Sequence, residues 1–241
     1  MNNEEVLMNA YLHHFGIHAG SDRQETFKML QNLGFRTIEG NSADWAFPGL
    51  LEIVGNKKPS PGHHLAFGFR TITDFNTSVE RLSSNGTEIF EQGRVDKLDL
   101  KVVWFKTPHG EDHLIWRVQD PVFANSKIFA RLAHVALYPS TEEFQTYVSL
   151  YEALGFKSND GNEHYLRLRS QNGEPDIHLM RSNDEYRSKF HLGLQPVDME
   201  DTITHLEGQG VRVYRTGKEN SYGDNARMFF DPLGVKVSLL P

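Results

Sequence analysis

The sequence predicts an α+β fold assembled from four β-α-β-β-β modules. Three observations carry this. First, a histidine–apolar–Gly/Ala–apolar pattern occurs four times: His14-Phe15-Gly16-Ile17, His64-Leu65-Ala66-Phe67, His134-Val135-Ala136-Leu137 and His191-Leu192-Gly193-Leu194. Each copy reads as a buried strand with a histidine at its entrance. Second, every copy is followed by a segment of helical periodicity. Third, more strand-like sequence follows each helix, which makes the whole an internal repeat.

The first module predicts a strand over 12–19, where a two-residue side-chain period puts His14 and His18 on one face. Ser21-Asp22 offers an N-cap. Phe27, Leu30 and Leu33 recur at helical spacing, and Gly34 suits the stop. Strands follow at 35–39, 44–47 and 50–54. Residues 55–62 read as a linker by their Gly, Pro and Ser content. The second module predicts a strand over 64–69, a helix over 74–84 and strands at 88–91, 101–105 and 113–118, with a turn at Thr107-Pro108-His109-Gly110.

Residues 120–130 form a second linker. In the third module a strand over 131–137 leads to Ser140, with Glu143 three residues on as a capping box. Phe144, Tyr147, Val148, Tyr151 and Leu154 follow a helical stripe that packs on a sheet. Strands follow at 165–169 and 176–180. The fourth module predicts a strand over 190–194, a helix over 199–207 and strands near 211–215, 227–230 and 235–240.

Modules one and three leave their helices through Leu33-Gly34-Phe35 and Leu154-Gly155-Phe156. Modules two and four share a Pro-x-Gly turn, Pro108-His109-Gly110 and Pro232-Leu233-Gly234. The order is therefore A-B-A′-B′. It predicts a first domain over 10–119, from modules 10–57 and 62–119, and a second over 130–241, from modules 130–182 and 188–241.

Composition narrows the function. The 241 residues carry a formal charge of −7, which disfavours nucleic acid or an anionic membrane as partner. No apolar run approaches a membrane span of about 20 residues. The acidic start Met1-Asn2-Asn3-Glu4-Glu5 lacks the regions of a signal peptide. The absence of cysteine fits a reducing cytoplasm and forces any metal onto His, Asp or Glu. Twelve histidines make their placement the main evidence.

The four histidine strands, the Leu-Gly-Phe exits and Phe229-Phe230-Asp231-Pro232-Leu233-Gly234 resemble the vicinal oxygen chelate superfamily. That superfamily includes glyoxalase I, extradiol ring-cleaving dioxygenases and bleomycin-resistance proteins. The resemblance implies that modules pair into two cup-shaped sheets. It also implies a divalent metal, Fe, Mn, Ni or Zn, held inside a cup by the first and last strands of each module. Carried onto this sequence, the first cup offers His14, Glu52, His64 and His113. The second offers His134, His178 and His191, with Ser238 where a glutamate is usual. The complete carboxylate-bearing set places the chemistry in the first half.

The implied function is a glyoxalase-like, lyase or isomerase type enzyme acting on a small molecule with vicinal oxygens. Its metal would be a Lewis acid, and Glu52 a ligand and catalytic base. The alternatives are an Fe(II) extradiol dioxygenase and a metal-free small-molecule binding or resistance protein. Paired domains in one chain are compatible with a monomer or a homodimer. Among weaker signals, His13, His18 and His63 read as surface residues. Arg167 and Arg169 read as a solvated strand face. Trp45, Trp104 and Trp116 are candidates to line the first cup. Tyr222 and Arg227 precede the last hairpin, where the ring-cleaving relatives' tyrosine position falls on Met228.

Overall fold

The computed structural model describes residues 10–19, 23–33, 36–38, 43–47, 51–54, 62–95, 100–108, 110–117, 130–170, 173–182, 190–216, 225–231 and 234–241. The expected cap at Ser21-Asp22, Tyr222 and most of both expected linkers lie outside them.

The first half runs β1 (Tyr11–His18), α1 (Arg23–Asn32), β2 (Arg36–Ile38), β3 (Ala43–Phe47), β4 (Leu51–Val54), β5 (Gly62–Phe69), α2 (Ile72–Ser84), β6 (Ile89–Val95), β7 (Leu100–Thr107) and β8 (Gly110–Arg117). The second half runs β9 (Ala130–Leu137), α3 (Phe144–Ala153), β10 (Lys157–Asn162), β11 (Tyr165–Ser170), β12 (Gly173–Met180), β13 (Phe190–Pro196), α4 (Met199–Gly208), β14 (Tyr214–Arg215), β15 (Arg227–Phe230) and β16 (Lys236–Leu239).

These strands form two eight-stranded sheets, ordered β2-β3-β4-β1-β5-β8-β7-β6 and β10-β11-β12-β9-β13-β16-β15-β14. In the first sheet β1 and β5 pair antiparallel, and each is flanked by a parallel strand, β4 or β8. A parallel return needs a crossover, which the helix supplies. The histidine strands β9 and β13 are likewise central, between β12 and β16.

Alternation divides each strand between two environments. Phe15, Ile17, Leu65, Phe67, Phe69, Phe105 and Leu114 belong to the apolar core. His14, Gly16, His18, His64 and Ala66 fall on the opposite face. The helices present matching stripes. α2 buries Phe75 and Leu82, and α3 buries Phe144, Tyr147, Val148 and Tyr151. α2 is capped at Thr71, whose hydroxyl accepts the Asp74 N–H at 3.0 Å. Ser140 and Glu143 make the reciprocal bonds of a capping box on the turn that leads into α3: the Ser140 N–H donates to Glu143 Oε2 and the Glu143 N–H donates to Ser140 Oγ, both at 3.3 Å.

The cores of the two sheets are one. Phe67 of β5 meets Tyr151 of α3 at 5.7 Å and Phe156 at 5.6 Å between ring centroids. Phe15 of β1 meets Phe190 of β13 at 4.8 Å. A buried polar link accompanies them. Asp112 accepts the Leu65 N–H at 2.8 Å and the Tyr151 hydroxyl at 3.4 Å. Burial, and then the Asp112 carboxylate, raise the Tyr151 pKa well above its usual value.

One strand escapes the sequence reading. β10, Lys-Ser-Asn-Asp-Gly-Asn, is exposed along its length and carries no apolar alternation. It forms because β11 offers an unpaired edge, and its polar side chains suit a sheet margin.

Candidate metal centre

β1 and β5 bring two imidazoles together. His14 Nε2 and His64 Nε2 stand 3.2 Å apart, both rings buried. His18 Nε2 lies 2.9 Å from His64 Nδ1. His13 Nδ1 lies 3.0 Å from His14 Nδ1. His13 reaches this place because β1 carries a bulge: Leu12 pairs with Phe67 and His14 with Ala66, which leaves His13 without an opposite residue. Bulges commonly re-aim side chains beside functional sites. His13 and His18 are thus buried within the cluster, contrary to the surface expectation. His63 lies on the other face, stacked on Phe15 with centroids 5.7 Å apart.

Register completes the face. Gly16 pairs with Glu52, and Ala66 with His113. Both partners therefore occupy positions on the same face as His14 and His64, in the two flanking strands. The side chains of Glu52, His113 and Trp45 lie outside the described residues. Trp104 pairs with His113 and packs edge-on to His64 at 5.4 Å, so it shares the histidine face of the sheet. Trp116 does not. It packs against the apolar core, because odd and even residues of β8 face opposite ways.

The third position of the histidine motif has a steric reason. A Cβ on Gly16 would stand 2.0 Å from His64 Cε1, so the His64 ring lies across bare backbone. In the second sheet the roles of the strands exchange. A Cβ on Gly193 would stand 2.2 Å from His134 Cε1.

The second sheet repeats the central pair. His134 Nε2 and His191 Nε2 are 3.2 Å apart. Tyr138 takes the place of His18, with its hydroxyl 2.7 Å from His191 Nδ1. His178 stacks flat on His134, centroids 3.9 Å apart and planes 14° apart. Ser238 pairs with Gly193, and Met228 with Ser238. Arg227 pairs with Leu239, one position off this face. Arg167 and Arg169 are half-buried rather than freely solvated, with 28% and 37% of their side chains exposed. Arg167 pairs with His178. Both guanidiniums bind Asp176, a residue that sequence reasoning missed and that pairs with His134. Among the described residues, no group of three or more His, Asp and Glu side chains is arranged to hold a metal.

Burial holds these second-sheet histidines neutral. It lowers the pKa of His134 to about 2, with further lowering from His178, Arg167 and Lys236. Burial and the nearby arginines lower His178 to about 3. Burial and then His134 lower His191. The unfolded chain therefore binds more protons below the ordinary histidine pKa of 6.5. Stability is retained above that value and lost as pH falls through it. Each such histidine costs roughly 1.5–2 kcal/mol between pH 6.5 and 5. Urea midpoints should fall steeply over that interval in metal-free protein. Midpoints unchanged from pH 7 to 5 would contradict burial of neutral imidazoles.

A separate cavity of about 480 Å³ opens between α1 and the α4–β14 corner, lined by Lys28, Leu206, Arg212, Tyr214 and Phe230 among others. It contains none of the histidines.

No family model matches the sequence, and no curated protein matches it. Solved structures do match. A Mn(II)-bound glyoxalase from Novosphingobium aromaticivorans superposes with a TM-score of 0.72 at 13% identity, covering 97% of this chain and 81% of that one. A catechol 2,3-dioxygenase gives 0.70 at 11% identity, covering 95% and 88%. An extradiol ring-cleaving dioxygenase from B. fuscum gives 0.70 at 13%, covering 98% and 72%. Glyoxalases and extradiol dioxygenases are vicinal oxygen chelate proteins, and the chain has their fold. Among the described residues, no helix is long and apolar enough to cross a membrane.

Proposed function

We propose that the protein is a metal-dependent enzyme of the vicinal oxygen chelate type, built as two domains over 10–119 and 130–241, with its metal in the first sheet. The carrying observation is the His14–His64 pair on the two central strands. Two imidazole nitrogens each about 2.1 Å from one cation, at tetrahedral to right angles, stand about 3.0–3.4 Å apart. The 3.2 Å separation of the two Nε2 atoms fits that span. The register positions of Glu52 and His113 would complete a set of three imidazoles and one carboxylate, which suits Fe, Mn, Ni or Zn.

The bound metal would supply a Lewis acid that chelates two adjacent oxygens of a small substrate. The chain's residues do the rest. His18 beside His64, and His13 beside His14, fix the ring orientations of the two central histidines. Glu52 is the candidate proton acceptor. Trp104 offers an aromatic wall against which a planar substrate can rest.

Elemental analysis of purified protein should show about one equivalent of divalent metal per chain, lost in Glu52→Gln. Stoichiometric metal in Glu52→Gln, or none in the native protein, would remove this reading. The glyoxalase and dioxygenase structures superpose about equally well, so a ring-cleaving activity is the second reading. Oxygen consumption with a catechol and Fe(II) would select it. Isomerase or lyase turnover consumes none.

A further inference from the structure

The cavity of about 480 Å³ beside α1 lies where the two halves of the chain meet. α1 contributes Met29 and Asn32 from the first half, and α4, β14 and β15 contribute side chains from the second. The halves touch directly here: the His205 imidazole of α4 donates to the Asn32 carbonyl at the end of α1. Gly210 sets the corner. Its φ of 77–80° class is the left-handed turn that ends α4, with the Gly210 N–H on the Glu207 carbonyl at 2.9 Å and the Val211 N–H on the Leu206 carbonyl at 3.0 Å. The chain then turns back and brings Arg212 and Tyr214 to the cavity.

Two aromatic rings give the cavity its shape. Tyr214 pairs with Met228, and Phe230 stands two residues beyond Met228, so both rings leave the same face of the sheet. Their centroids are 6.3 Å apart and their planes 73° apart. One ring offers a face where the other offers an edge, a corner that receives a flat ring on two sides. The Arg212 guanidinium lies over the Tyr214 ring, 4.9 Å from its centroid, and helps to hold it at this angle. Phe230 is 51% exposed, and of the four large apolar side chains exposed among the described residues it is the one that lines the cavity. A ligand seated there would take that phenyl surface out of water. The floor is apolar, from buried Leu206 and Met29. Two uncharged amides, Asn32 and Gln209, stand in the wall, and each can both donate and accept. The volume falls within the roughly 300–1,000 Å³ of small-molecule sites.

We propose that this cavity binds a flat aromatic small molecule, seated in the Tyr214–Phe230 corner with an uncharged polar edge, such as a carboxamide, toward Asn32 and Gln209. An aliphatic molecule of equal size would fill the space and forgo the ring–ring contacts. The site draws its wall from both halves, so it exists only when they are docked. Among the described residues no histidine lines it, and it stands independently of the metal in the first sheet.

The test is an NMR titration of the full chain with isotope-labelled methionine methyls. Glu25, Lys28, Arg212 and Asp231 also line the cavity, so uncharged probes are used and the outcome does not turn on charge balance. Benzamide is the probe, and cyclohexanecarboxamide is its saturated match. Benzamide should shift the Met29 methyl saturably and leave that of Met180, which lies outside the cavity, unmoved. The saturated amide should bind about threefold or more weakly. Phe230→Ala should weaken benzamide binding by about fivefold or more with native circular dichroism, because the truncated ring is half exposed. Tyr214→Leu keeps apolar bulk and loses the flat face. It should weaken binding similarly, and it keeps the test sound if Phe230→Ala misfolds. No saturable shift at Met29 overturns the proposal. So does equal affinity for the two amides, or unchanged affinity in either folded variant.

Discussion

Gly16→Ala is expected to empty the first sheet of metal while the protein stays folded. The added methyl would fall 2.0 Å from His64 Cε1 and 2.3 Å from its Nε2. No van der Waals contact survives at that range, so the ring must swing aside. Swinging it breaks the 3.2 Å approach to His14 and the 2.9 Å contact with His18. Metal affinity should drop by at least about 10–100-fold, the scale seen when a ligand loses its orienting partner. The backbone at Gly16 is ordinary strand, so alanine itself adds no conformational strain. Far-UV circular dichroism should be unchanged. The matched control is Gly193→Ala, whose methyl strikes His134 in the other sheet and should leave metal content at the native level. Full metal occupancy in Gly16→Ala would show that His64 is no ligand.

Phe67→Ala is expected to give the largest loss of stability from a single apolar truncation. Phe67 is fully buried. Its ring meets Phe105 at 6.5 Å in its own sheet, and Tyr151 and Phe156 from the other half. Truncation leaves a cavity that neither half can close alone, and such changes cost about 3–5 kcal/mol. Domains are stable by only about 5–15 kcal/mol, so the urea midpoint should fall sharply. A loss under about 1 kcal/mol would mean that the shared aromatic cluster does not hold the halves together.

Much of the fold is legible in the sequence, because its signals are local. The stripe Phe144, Tyr147, Val148, Tyr151 reads as a buried helix face, and so it is. The histidine motifs mark the central strands of both sheets. β10 was illegible because a polar edge strand has no periodicity to detect. The site was harder for a different reason. Strict alternation reveals that a strand has two faces, but not whether the polar face meets water or a walled cup. The alternation of Arg167 and Arg169 with leucines therefore reads as a solvated face, and nothing in it announces that both guanidiniums also close on buried Asp176. His13 was misjudged because a bulge shifts register without any composition cue. The glycine at the motif's third position was visible throughout. Its reason was not, since the ring that lies over it belongs to a strand 48 residues away in the first sheet.

The Asp112–Tyr151 bond and the aromatic contacts around it bear on how the polypeptide could be divided. Cleavage between residues 119 and 130 would leave each fragment with half of a seam: Asp112 and Phe67 on one, Tyr151 and Phe156 on the other. Neither piece could cover its own oily side in water. Co-expressed, the two pieces should find each other and rebuild the whole as a non-covalent heterodimer, each acting as the other's missing wall.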